Sequence, residues 1–460
     1  MSTFSTFLKK AGDKAEDRSH LLKILKAVSI HDNKVEAMKA IQFRDWQSAR
    51  HVAEQIKNYV LENLPDLLES FEKNISARGA EVLWARDTTE AQKLFLEICR
   101  KHEAKNIIKS KSMTTEEIAL NETIESTGKK VWESDLGELI VQLAGEKPYH
   151  IVTPAMHKNT AEIAELFHEK LGTPITDSAE ELTMAARNYL RNAYVTADLG
   201  VTGANFLIAD EGAVVLTENE GNARLTMSCP PVHVVIAGIE KILPSIGALP
   251  LFLPLLATSG TGQQITCYNT IIRGPRQKNE PDGPENLYVI LLDNGRTGLY
   301  DDLPFRQSLR CIRCGACLNA CPVYRTIGGH SYQTTYQGPI GSVITPHLRP
   351  MKTWNHLSFA SSLCAACTSV CPVRIDLHML LLENRWEAYA GHNTGLIWRA
   401  GLRFWAFMFA KRKRLNFFRT IGRIKLPFIR PFLPHGLRKR IPPIPSKSFA
   451  RLWSENEQQK

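Results

Sequence analysis

The sequence predicts an α/β domain, then a helical domain built around cysteines, then a basic helical tail. Three observations carry this reading. Strand-like and helix-like segments alternate from about residue 80. Seven of the ten cysteines fall in two short runs, CIRCGACLNACP at 311–322 and SSLCAACTSVCP at 361–372. Residues 391–460 carry a charge of +14 in a chain whose net charge is +10, which leaves −4 for the rest. A length of 460 residues suffices for two or three domains. The expected divisions are a helical lead-in at 1–75, the α/β domain at 76–298, the cysteine domain at 299–390 and the basic region at 391–460.

In DWQSARHVAEQIKNYVLENL, Val52, Ile56, Tyr59, Val60 and Leu64 recur at helical spacing, and Pro65 suits the first turn of the next helix. This lead-in reads as a cap on the α/β domain. AEVLWA (80–85) reads as a strand. DTTEAQKLFLEICRKHE (87–103) reads as a helix opened by Asp87 and Glu90. NIIKS, KKVWES and YHIVTP read as three further strands, separated by the helical TTEEIALNETIEST and LGELIVQLA. Four strands with helices between them predict a right-handed parallel sheet. Helices are expected near 160–170 and 178–193. The segment NFLIADEGAVVLTEN (205–219) reads as a hairpin turning at Asp210-Glu211-Gly212. VHVVIAGI (232–239) reads as a buried strand, 271–287 as a Pro/Gly-rich loop, and YVILLDNG as a return to the sheet.

Cys311, Cys314, Cys317 and Cys321-Pro322 follow C-x2-C-x2-C-x3-C-P. In this bacterial ferredoxin spacing three thiolates wrap one cubane and the fourth reaches a second cluster. A tight loop aims the sulfurs and several backbone N–H groups at one anionic core. Zinc is the competing reading, but it needs only four ligands, and seven cysteines with a proline after each run fit it poorly. A disulfide scaffold belongs to small secreted chains. In the second run Cys364, Cys367 and Cys371-Pro372 match the last three positions of the pattern, and Ser361 stands at the first. Swapped ligation then predicts cluster one on Cys311, Cys314, Cys317 and Cys371, and cluster two on Cys321, Cys364 and Cys367. The fourth corner of cluster two stays open between Ser361 oxygen, a [3Fe–4S] core, and an iron left to water, another side chain or a small molecule. Cys99, Cys229 and Cys267 are scattered and read as small buried apolar residues. The insert between the runs, with its Gly328-Gly329-His330 turn, and the helical RIDLHMLLLENRWEAYA predict a helical form of the two-cluster fold.

These residues resemble the lactate utilization protein B family of iron–sulfur proteins. The resemblance runs through KSMTTEEIALNE (111–122), ESDLGELIVQLAGEKPYHIVTPAMHK (133–158), VTGANFLIADEGAVVLTENEGNARL (201–225), both cysteine runs, VYRTIGGHSY (323–332), YQGPIGSVITP (336–346) and PIPSKSFARLW near the end. It implies an α/β domain shared with the companion protein C and related to the sugar-phosphate isomerase and CoA-transferase superfold. It implies an α-helical ferredoxin domain whose second cluster takes three cysteines. It implies a role in oxidising L-lactate to pyruvate with A-type and C-type partner proteins, as electron carrier to an acceptor the sequence does not identify.

Other candidates read first as structural. Asn205, Glu218, Glu220, Asn222, Arg224 and the SGTGQQ loop (259–264) read as solvated turn residues, and as a carboxylate site with Arg224 as its anchor in the alternative. Glu116 and Glu117 read as first-turn acids of a helix, and Asp135 as an N-cap. His150 and His157 read as structural. With no GxGxxG after a strand and no GxxxxGK[ST], neither NAD, FAD nor ATP is expected. The aromatic and basic segment 395–418, with Trp398, Phe404, Trp405, Phe407, Phe409 and the KRKR block at 411–414, suits an anionic membrane surface, a partner, or the protein itself. No nucleic-acid motif accompanies it. The first twenty residues show no signal peptide and no apolar run is long enough to span a bilayer, so the expected location is cytoplasmic, with peripheral contact at the inner face of the membrane as the tail's alternative. Three roles compete: electron carrier, catalyst using an open iron of cluster two, and scaffold with structural clusters.

Overall fold

The structure, a computed structural model, describes residues 2–429, 431 and 445–458. The remainder of the basic tail lies outside the described residues. The chain forms two compact units, Met1–Ala388 and Tyr389–Lys460.

Four helices open the first unit: α1 (Thr3–Glu16), α2 (Arg18–Gln42), α3 (Trp46–Glu62) and α4 (Leu64–Ser76). Ser2, Asp17 and Asp45 cap the first three with side-chain oxygens, and Pro65 sits in the first turn of α4. The buried face of α3 differs from the predicted stripe. Val52 and Tyr59 are exposed, while Arg50, Ala53, Lys57, Val60 and Leu61 are buried. Two cations face inward because they find carbonyl acceptors there, so the lead-in is part of the interior rather than a cap.

The α/β core holds ten strands: β1 (Glu81–Ala85), β2 (Asn106–Lys109), β3 (Lys130–Glu133), β4 (Leu199–Thr202), β5 (Phe206–Ile208), β6 (Ala213–Glu218), β7 (Val232–Gly238), β8 (Ile242–Leu243), β9 (Tyr268–Ile272) and β10 (Asn286–Leu292). Six make a parallel sheet in the order β1-β10-β7-β4-β2-β3. Every residue of β7 is buried, as a central strand covered on both faces requires. The hairpin of β5 and β6 joins a second sheet, β8-β5-β6-β9, which the sequence pattern did not announce.

YHIVTP is not a strand, and β4 stands in the sheet instead. Its polar groups are engaged elsewhere. Tyr149 O accepts from Tyr324 Oη at 2.8 Å, Tyr149 Oη meets His20 Nε2 at 3.0 Å, and His150 Nδ1 accepts the N–H groups of Val152 and Thr153. The Gly328-Gly329 turn packs on this segment: a Cβ at Gly328 would lie 1.6 Å from Tyr149 Oη, at a backbone φ of +68°. ALPLFLPLL belongs to a helix, Leu249–Thr261, that runs on into SGTGQQ and ends at left-handed Gly262. Beyond β10 the unit is helical, including Gly338–Leu348 and Leu377–Ala390. The second unit contains helices Leu396–Phe409, Arg412–Ile429 and Phe449–Glu457. No helix among the described residues is long and apolar enough to cross a membrane.

Candidate metal centre

The two cysteine runs fold alike. In the first, Arg313 (φ 60°) and Gly315 (φ 79°) flank Cys314; in the second, Leu363 (φ 56°) and Ala365 (φ 63°) flank Cys364. Left-handed residues on either side of one cysteine curl the loop so that neighbouring sulfurs face inward. Short helices follow at Ala316–Ala320 and Ala366–Val370, pack on each other, and stop at Cys321-Pro322 and Cys371-Pro372. Backbone N–H groups point at sulfur: Arg313 N donates to Cys311 Sγ and Ile375 N to Cys371 Sγ, each at 3.4 Å.

Cys311, Cys314, Cys317 and Cys371 line one void of about 360 Å³, walled by Ile151, Ile340, Val373 and Leu377. Cys321, Cys364 and Cys367 line a second, of about 270 Å³, together with Ser361 and His378. Each is many times a water's share of liquid volume, about 30 Å³. The first void lies inside the protein, with Cys311 its one half-exposed cysteine. The second reaches the surface at exposed Cys364.

The donor chemistry suits an iron–sulfur core better than a single ion. A tetrahedral Zn–thiolate site, at about 2.3 Å per bond, draws sulfurs to about 3.8 Å from one another. Among the described residues, only two groups bring three or more such ligand atoms within 4.8 Å of one another, and neither includes a cysteine. They are Glu146, His157 and His330, and Glu116, Glu133 and Glu138; in the second, the Lys109 ammonium already sits 2.7 Å from Glu133 and 3.1 Å from Glu116. Burial pushes the thiols of Cys314, Cys317, Cys321 and Cys371 up, and Cys367 to about 12. Thiolates therefore need a cationic core to form there.

Cations surround the first void. Arg50 donates from Nε to Cys371 O at 2.7 Å and from Nη2 to Thr368 O at 3.1 Å. Lys57 donates to Glu240 O at 2.7 Å, and burial pushes its ammonium down to about 8. Lys57, Lys241 and Arg313 all interact electrostatically with Cys311. Sequence reasoning missed Arg50 and Lys57, because a cation on an amphipathic helix ordinarily points to water. It also missed His378, whose Nδ1 lies 2.9 Å from Thr368 Oγ1 and 2.8 Å from Asp376. Ser361 Oγ accepts from Leu363 N at 3.1 Å.

The other candidates fall into place around this centre. Glu116 and Glu117 close the short helix Met113–Glu117, which Ser112 caps, so they are not first-turn acids. Glu117 instead takes Nη1 and Nη2 of Arg296 at 2.9 and 2.8 Å. Asp135 does cap its helix, at Glu138 N. His157 pairs with Glu146 at 2.7 Å. His150 is buried, and burial pushes its imidazole down to about 3. Asn205, Glu218, Glu220 and Asn222 line a cleft with Gly260 and Thr261 of the SGTGQQ segment. Arg224 does not; its guanidinium lies over the Tyr268 ring at 5.1 Å. Of the scattered cysteines, Cys99 is buried, but Cys229 and Cys267 are exposed, since neither lies on an inward face.

Residues 68–292 match the LUD domain family, and residues 307–375 match the 4Fe-4S dicluster domain family. The chain is similar to "Lactate utilization protein B" of Bacillus thuringiensis, Bacillus cereus and Bacillus anthracis. Each is 44% identical over 356 residues, covering 77% of this chain and 74% of the relative. A solved structure of a DUF162 family protein from Deinococcus radiodurans aligns at 13% identity with a TM-score of 0.28, over 50% of this chain and 98% of that one.

Proposed function

Because this chain belongs to the lactate utilization protein B family, we propose that it is the iron–sulfur electron-transfer component in oxidation of L-lactate to pyruvate, acting with A-type and C-type partner proteins. One observation carries the reading: the cysteines of the two runs line two neighbouring voids, one interior and one open at the surface. When bound, two iron–sulfur clusters supply one-electron uptake and release. Cys311, Cys314, Cys317 and Cys371 hold the interior one, and Cys321, Cys364 and Cys367 the surface one, with Ser361 and His378 beside its fourth corner. Arg50, Lys57, Lys241 and Arg313 offset negative charge at the interior site, which favours holding an extra electron there. Exposed Cys364 places the surface site where a partner can dock. We assign the α/β domain to the sugar-phosphate isomerase and CoA-transferase superfold on the resemblance alone.

The test is reconstitution. Anaerobically purified chain should be reducible by dithionite, and lactate should reduce it only when the partner proteins are added. Lactate turnover by the chain alone, with an artificial acceptor, would support the catalytic role instead. For the tail we propose contact with an anionic membrane surface, supported by helix Leu396–Phe409, in which no residue is buried and Trp398, Phe404, Trp405, Phe407 and Phe409 are about half exposed. Co-sedimentation with phosphatidylserine vesicles, lost in 0.5 M salt, checks it; no sedimentation at low salt overturns it.

A further inference from the structure

The carboxyl ends of β2, β4 and β7 open into a cavity of about 390 Å³. This is where parallel α/β sheets hold ligands, and the volume lies at the small end for such sites. Its far wall is Ile312, Arg313 and Cys314 of the first cysteine run.

Most polar groups lining it are already engaged. Lys111 Nζ donates to Val152 O at 2.5 Å. The Glu218 carboxylate accepts the N–H groups of Ala223 and Arg224 at 2.6 and 2.9 Å. Asn205 Oδ1 accepts Thr217 N at 2.9 Å, and Asp135 caps its helix. Lys241 is different. It is 8% exposed, it lines the cavity, and no acceptor among the described residues bonds its ammonium. Burial pushes that ammonium down to about 8, although Glu240 beside it pulls the other way. Ser110 and Asn222, 3% and 8% exposed, also line the cavity with uncommitted side chains. The acids are held by backbone N–H groups and the spare capacity is one buried cation with two neutral polar groups. Such a set suits an anion carrying further oxygens, not a metal ion.

We infer that this cavity binds a small polar carboxylate, with the carboxylate on Lys241 Nζ and a hydroxyl or carbonyl oxygen on Ser110 and Asn222. The site lies on the α/β domain and shares a wall with the first cysteine run. It is therefore separate from the open corner of the second cluster, and its anchor is not Arg224. The inference depends on the carrier reading only in the choice of probes.

The experiment is calorimetric titration of the full, cluster-loaded chain with L-lactate, pyruvate and the neutral analogue lactamide. At least one carboxylate should bind, lactamide at least tenfold more weakly. Lys241→Met should lose at least tenfold in affinity, Lys241→Arg should retain most of it, and Arg224→Ala should match wild type. No binding by either carboxylate, equal binding of lactamide, or wild-type affinity in Lys241→Met overturns the inference. If Lys241→Met fails to hold iron, Ser110→Ala and Asn222→Ala replace it: at least threefold weaker binding in either supports the site, and unchanged affinity in both overturns it. Absent binding with dithionite-reducible clusters sinks this inference alone. Intact binding with clusters that cannot be reduced sinks the carrier reading alone.

Discussion

Arg313, between the first two cysteines, places Nη2 3.3 Å from Glu240 Oε1, just past the end of β7. Glu240 Oε2 also takes Arg296 Nε at 2.6 Å, and Arg296 clamps Glu117, which accepts Tyr336 Oη at 2.5 Å. The Arg313 guanidinium in turn lies 4.3 Å from the centre of the Tyr336 ring. One buried ionic network thus joins the sheet ends to the loop that would hold a cluster. Burial opposes ionisation of Glu240, but Arg296, Arg313 and Lys241 outweigh it and hold the carboxyl at about 2.

Removing one member of such a network leaves its partners buried and unpaired. Glu240→Gln should therefore cost about 3–5 kcal/mol in urea denaturation and lower iron incorporation. A loss below 1 kcal/mol would show that the network is dispensable.

Lys57 gives a redox prediction. Its ammonium is buried beside Cys311, and Lys57→Gln removes a positive charge from the interior site. At an effective dielectric near 20, the midpoint potential of that cluster should fall on the order of 50 mV. Spectroelectrochemical titration reads the shift; a rise, or no change, contradicts the arrangement.

Ser361 occupies the place of the missing cysteine and lines the void with Cys321, Cys364 and Cys367. Ser361→Cys should supply a fourth thiolate and convert any three-iron signal in the EPR spectrum to a four-iron one. An unchanged spectrum, with a change in His378→Ala, would move the fourth corner to the histidine.

His233 sets a pH dependence. It is fully buried, with Nε2 2.8 Å from Thr202 Oγ1, and burial pushes it down to about 3. The unfolded chain, with a histidine pKa near 6.5, binds the proton that the native state refuses. Stability must then fall as pH drops below about 6.5, by roughly 1.4 kcal/mol per unit. Comparing urea midpoints at pH 7 and pH 5.5 for wild type and His233→Gln isolates this slope, which the variant should lack.

Local patterns were legible where they depend on one segment. The unbroken apolar run of β7, the Asp87 and Asp135 caps and the hairpin turn at 210–212 could all be read directly. Cysteine spacing suggested two interlaced ligand sets because the loop geometry needed to wrap a cluster is itself local. Features that depend on distant segments were not legible. YHIVTP has strand-like composition, but its backbone bonds to Tyr324, far along the chain. The inward cations Arg50 and Lys57 carry no mark distinguishing them from solvated ones. The cleft gathers the ends of strands separated by whole helices, so Lys241 looked ordinary and Arg224 looked like the anchor.

The most direct test of the interlaced arrangement is EPR of dithionite-reduced, anaerobically purified Cys→Ser variants, grouped by which cluster signal each one alters. The arrangement predicts that Cys371→Ser alters the same signal as Cys314→Ser, and Cys321→Ser the same signal as Cys364→Ser. If Cys371→Ser groups with Cys364→Ser instead, each run holds its own cluster and the central claim fails.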